Sequence, residues 1–162
     1  MQFTKALQHT VGWKALNTIL TFLINLLLVR ILGADGSGDF YYGITLLSFF
    51  TLAISWSMEA GITYYASNNI DTIPSITLFI IPWLMVQAIV SWLLLDLLSI
   101  NIARYWSLLF VLSNLVIIYI SALYYAKKMF VSINIIVCTI NFIVLVSLGY
   151  VFFAADSEQS TY

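Results

Sequence analysis

Uncharged windows at residues 15–29, 40–58, 72–95, 105–126 and 129–155 run through this chain, and the charged residues are gathered in the gaps between them. About 20 apolar residues in helix, rising ~1.5 Å each, cross the ~30 Å hydrocarbon core of a bilayer. A soluble helix of that length would carry a polar face of Lys and Glu. A transmembrane barrel would show short segments of alternating polarity, whereas these windows are continuously apolar. The pattern predicts an all-α, polytopic transmembrane helical bundle. Its five spans fall at about 11–33, 39–66, 74–98, 105–126 and 131–153. Residues 1–10 read as an interfacial segment with Phe3 and Leu7 facing lipid, and 154–162 as a polar tail, either loop or frayed end.

Turn chemistry punctuates the spans. Gly33 suits a left-handed helix end, and Ser37 or Asp35 can cap the helix that follows. Pro74 is a favoured first-turn residue for the third span. Pro82, inside that span, removes the bond to the Leu78 carbonyl, so a kink is expected there. The connections are short, and neighbouring spans should pack antiparallel.

Composition narrows the class. Charged residues make up 8% of the chain and hydrophobic ones 62%, with mean hydropathy +1.02, which excludes a soluble domain. Five spans in 162 residues leave room for one membrane domain and no soluble catalytic module. A net charge of −1 gives no footprint for a nucleic-acid partner. Cys138 is the single cysteine, so no intrachain disulfide can form. A lone His9 and a lone Cys138 assemble neither a zinc site nor a nucleophile–base pair. The sequence therefore predicts no enzyme and no cofactor. The first window is too long for a removable signal peptide and reads as a retained span.

Lys5, His9 and Lys14 precede or enter the first span, and Lys127 with Lys128 separates the fourth from the fifth. The positive-inside rule puts both sets in the cytoplasm, with the N-terminus inside and the C-terminus outside. Trp13 and Lys14 then sit at interface depth as an anchoring pair.

Polar residues within the spans recur at helical spacing. Lys14, Thr18, Thr21 and Asn25 share one face of the first span. Tyr41, Thr45, Ser48, Ser55 and Glu59 recur in the second, Ser107, Asn114, Ser121 and Lys128 in the fourth, and Asn134, Cys138 and Asn141 in the fifth. Lipid offers no hydrogen bonds, so such stripes should face water or other helices. They read either as a hydrated pathway or as helix packing glued by hydrogen bonds. Glu59 is the one acid in a long apolar context, which can mark ion or proton coupling. Counted from Asp39 at ~1.5 Å per residue it lies about 30 Å along, so interfacial solvation is the alternative. Arg30 falls in the last turn of the first span, where a cation complements the helix dipole.

Leu28-Val29-Arg30-Ile31-Leu32-Gly33, followed by Gly38-Asp39-Phe40-Tyr41-Tyr42, resembles the first connection of polysaccharide and lipid-linked oligosaccharide flippases of the multidrug/oligosaccharidyl-lipid/polysaccharide exporter superfamily. Trp13, Asn17 and Asn25 before the turn and Ala60-Gly61-Ile62 after it extend the resemblance over about residues 8–68. The resemblance implies alternating-access transport of an isoprenoid-pyrophosphate-linked glycan across the bacterial cell membrane. It implies as well that the five spans are most of one lobe of a two-lobed transporter, an amino-terminal fragment whose missing lobe or self-association completes the pathway. Membrane lipids and the lipid-linked oligosaccharide are the expected partners. The substrate-pathway candidates are Lys14, Asn17, Thr21, Asn25, Arg30, Ser48, Glu59, Asn114 and Asn141. Alternatives are a cation-coupled exporter of the same superfamily and a small non-transporting membrane assembly protein.

Overall fold

The structure, a computed structural model, describes residues 2–97 and 103–159, with side chains described over 8–96 and 103–153. The expected lipid contacts of Phe3 and Leu7 lie outside the described side chains. The chain forms α1 (Gln2–Ser55), α2 (Met58–Asn68), α3 (Ile73–Leu94), α4 (Arg104–Ala126) and α5 (Phe130–Gln159). Four helical stretches are long and apolar enough to cross a membrane: Gln8–Ser55, Ile70–Leu94, Arg104–Ala126 and Phe130–Phe153. The protein is a multi-pass membrane protein with a helical-bundle fold.

α1 is two helices joined at Gly33, which alone departs from helical geometry, with φ 71° and ψ −177°. The positive φ is what the sequence anticipates, but ψ is extended instead of left-handed helical. That combination is essentially restricted to glycine, because a Cβ would collide with the chain's own backbone. Ser37, expected as a cap, instead donates its hydroxyl to the Ala34 carbonyl at 2.9 Å. Pro74 opens α3 as the sequence predicts, and α3 continues as one helix through Pro82. The tail read as loop or frayed end stays helical as far as Gln159.

The contacts divide the chain into two units, residues 1–38 with 130–162, and residues 39–129. In the first, the first arm of α1 packs on α5. Trp13 meets Cys138, Asn17 meets Asn141 and Arg30 meets Phe152. Both numbers rise together, so the two helices run parallel.

In the second unit, Leu47 and Ile54 from the far arm of α1 share one core with Ile62, Ile80, Leu95, Val111, Leu115, Tyr119 and Ala122. α4 packs against both α2 and α3. Ile73 clusters with Ala126, Gln87 bonds Tyr119, and Arg104 bonds the Trp92 carbonyl, so α3 and α4 are antiparallel. Thr63 lies over Ala122 and Ala66 against Ala126, so α2 and α4 are parallel. Arg104 also pairs with Asp96 at 2.8 Å and sits 4.2 Å over the Trp92 ring, which ties the start of α4 to the end of α3.

Candidate functional site

The sequence reads residues 39–66 as one span. The chain breaks it at Trp56 and Ser57, which take φ of 49° and 54°. Two consecutive left-handed residues that are not glycine cost of order 1–3 kcal/mol each, so the surrounding structure must hold them there. The break strips the last turn of α1 of its normal N–H partners. Side chains take their place: the Ser55 hydroxyl donates to the Leu52 carbonyl at 2.9 Å, and the Gln87 amide to the Ile54 carbonyl at 2.8 Å.

Gln87 is the centre of a buried polar layer. Its nitrogen lies 2.6 Å from the Tyr119 hydroxyl, which donates in turn to the Gln87 carbonyl oxygen at 3.0 Å. Gln87 and Tyr119 are 3% and 1% exposed. One helical turn away on either side, at i−4 and i+4 on α3, stand Trp83 and Ser91. Both the Trp83 indole nitrogen and the Ser91 hydroxyl are buried without a hydrogen-bond partner among the described residues, as is one carboxylate oxygen of Glu59. Trp56, left on the outer surface by the break, sets its ring edge-on to Trp83 at 5.9 Å.

The layer is deep. Gln87 stands seven residues before Leu94 at the end of α3, and Tyr119 seven before Ala126 at the end of α4. Those ends belong to antiparallel helices and lie on opposite faces, so Gln87 is about 10 Å from one face and Tyr119 about 10 Å from the other. Glu59 begins α2 just beyond this layer. Glu59 is half-buried there, with one carboxylate oxygen enclosed. Beside it, α2 and α3 enclose an apolar groove of about 350 Å³ between Met58, Gly61, Ile62 and Tyr65 on one wall and Ile76 and Phe79 on the other.

The sequence candidates divide between the units. Asn17 and Asn141 meet directly, the Asn141 amide donating to the Asn17 carbonyl oxygen at 2.7 Å. Cys138, on the same stripe, donates to the Trp13 carbonyl at 3.4 Å. Here the stripe is helix packing. Lys14, Thr21, Asn25 and Ser48 are exposed. Asn114 is half-buried and turns its amide back to the Phe110 carbonyl at 2.9 Å. Phe50, in the second span, packs against the core of the second unit.

The hydroxyl stripes do not need water or neighbours. Thr18, Thr21, Thr45, Thr139 and Ser147 each bond the carbonyl four residues back, between 2.7 and 3.0 Å. A hydroxyl satisfied by its own helix can meet lipid at little cost. In the second span the inward-facing hydroxyls are Thr51 and Ser55, not Thr45 and Ser48.

Arg30 is exposed, three residues before the Gly33 break. Its guanidinium lies 5.1 Å over the Phe152 ring, and no carboxylate pairs with it among the described residues. It ends a groove of about 510 Å³ lined by Leu23, Leu26, Leu27, Val29 and Leu145. No group of three or more His, Cys, Asp or Glu that could hold a metal occurs among the described residues.

Sequence reasoning missed Trp83, Gln87, Ser91 and Tyr119. A signal was present: Gln87 is the only amide in the third window, and Ser91 follows it at i+4. Compared with protein-family models, curated proteins and solved structures, the chain matches none.

Proposed function

We propose that this chain is a membrane transport protein, a flippase or exporter that moves a lipid-linked polysaccharide precursor across the bacterial cell membrane by alternating access. The observation that carries the reading is the broken second span, with a polar layer in which Gln87 lies about 10 Å from one face of its bundle and Tyr119 about 10 Å from the other. Packing alone gives no reason to interrupt an apolar helix at that depth, whereas transporters form their polar sites at discontinuous helices. The resemblance motif adds to this. Its glycine is Gly33, the backbone break of α1, and its arginine is Arg30, an open cation at the end of an apolar groove. An anionic headgroup on a long hydrocarbon chain suits that pairing of charge and groove.

The orientation that goes with this function has the N-terminus inside and the C-terminus outside. Lys127 and Lys128 immediately precede α5, whose start lies at the same end as the start of α1, so the basic residues gather on one side. The direct test is photocrosslinking in membranes with a photoreactive isoprenyl-pyrophosphate glycan. Labelling of the chain should be competed by unlabelled precursor and lost in Arg30→Ala. Labelling that ignores both would reject the substrate class.

The enclosed oxygen of Glu59 favours a second reading, the cation-coupled exporter. That reading requires substrate uptake by vesicles to depend on a sodium or proton gradient and to fail in Glu59→Gln. The assembly-protein reading requires neither labelling nor uptake.

A further inference from the structure

Nothing local demands the break in the second span. Neither proline nor glycine stands at Trp56–Ser57, and kinks without them arise where a side chain enters the i→i−4 ladder. The inward-facing positions across the break are Leu47, Thr51, Ile54, Ser55, Met58, Ile62 and Ala66. Apart from the adjacent pair Ile54 and Ser55, their spacings of three and four are those of one continuous helix, so the sequence is written for an unbroken span. Two tertiary contacts oppose it. The Gln87 amide occupies the Ile54 carbonyl, the acceptor that Met58 N–H would use in an unbroken helix. The Trp56 ring rests edge-on against Trp83.

We propose that residues 54–58 are a two-state switch, broken and continuous, with Gln87 as its latch. In the broken state Gln87 bridges Ile54 and Tyr119, and Trp56 and Ser57 are left-handed. In the continuous state Met58 N–H takes the Ile54 carbonyl, both residues become right-handed, and Gln87 keeps Tyr119 as its partner. Each state satisfies the Ile54 carbonyl, which is why the two can lie close in free energy. The exchange re-aims α2, and with it Glu59, relative to the polar layer. The device is a conformational one, and it holds whatever the protein carries.

The test is the backbone angle itself, measured at Trp56 and Ser57 of the full chain in lipid bilayers by solid-state NMR torsion experiments. The chain as it stands should give φ near the structural 49° and 54°. Gln87→Met, similar in shape but without the donor, should move both towards the helical value of about −63°. Signals from Val111 and Leu115 report whether the bundle is intact. If Gln87→Met disturbs them, Ser57→Val serves instead. Position 57 is exposed, and a β-branched side chain disfavours the left-handed region. There the shift to negative φ should be accompanied by a changed Gln87 side-chain amide signal. Left-handed angles that persist in an intact Gln87→Met bundle, or in Ser57→Val, would overturn the switch.

Discussion

Asn141 on α5 donates its side-chain amide to the Asn17 carbonyl oxygen on α1 at 2.7 Å, a direct bond between residues 124 positions apart. Both are half-buried, and lipid itself offers an amide no partner. The bond fixes rotation and register of two otherwise apolar helices. Hydrogen bonds between membrane helices average about 0.6 kcal/mol and reach about 1.7. Asn17→Ala and Asn141→Ala should each destabilise the protein by that order. Their double-mutant cycle, measured by reversible unfolding in mixed micelles, should show coupling of several tenths of a kcal/mol. Strict additivity would mean that the two side chains do not meet.

Gly33 differs from Gly38 by its backbone, not by its surroundings. A Cβ would meet nothing within 4 Å at either Gly33 or Gly38, yet only Gly33 has a positive φ. Gly33→Ala should therefore cost roughly 1–3 kcal/mol through strain alone. Gly38→Ala, inside the helical part of α1, should be neutral or stabilise by about 0.5–1 kcal/mol. Thermal unfolding of the two variants side by side in detergent checks the contrast.

Tyr119 and Gln87, both buried, hold each other as donor and acceptor. Tyr119→Phe leaves the Gln87 carbonyl oxygen without its donor, while the Ile54 carbonyl keeps the Gln87 amide. An unsatisfied buried group costs about 1–3 kcal/mol. Denaturant unfolding should show a loss of that size. A loss below the error of the method would place water in the layer.

The sequence made the helices legible for a simple reason: a lipid-facing helix must be apolar all round, and five long uncharged windows say so directly. The glycine at position 33 was legible too, since only that residue relieves a positive φ. The break at Trp56–Ser57 was not. Its cause lies on another helix, and the buried positions on either side keep the rhythm of an unbroken one. Polar stripes were harder to read for a different reason. Spacing shows that hydroxyls share a face, but Thr21 and Thr45 bond their own helix, which spacing cannot distinguish from a bond across an interface. Amides are the better guide. Asn17, Asn141 and Gln87, whose side chains carry both donors and an acceptor, found partners on other helices, whereas Asn114 turns back to its own.

The parallel packing of α1 on α5 makes a topological prediction that needs no knowledge of function. Trp13 beside Cys138 and Arg30 beside Phe152 fix the two helices in one direction. A span that leaves one face of the membrane must therefore be followed by a net even number of crossings, counting α5, before the chain reaches the far end of α5. Single cysteines introduced at Gln8 and Phe130 should then react from one side of the membrane, and those at Ile31 and Phe153 from the other. All four positions are exposed. The native thiol of Cys138 is buried, and Cys138→Ala removes it from the experiment at the cost of its weak bond to the Trp13 carbonyl. An impermeant maleimide applied to spheroplasts and to inverted vesicles gives the two readings. If the basic residues lie inside, the first pair labels only in inverted vesicles and the second only in spheroplasts. The reverse pattern would keep the parallel packing but overturn the orientation. Opposite sides for Gln8 and Phe130 would overturn the packing itself.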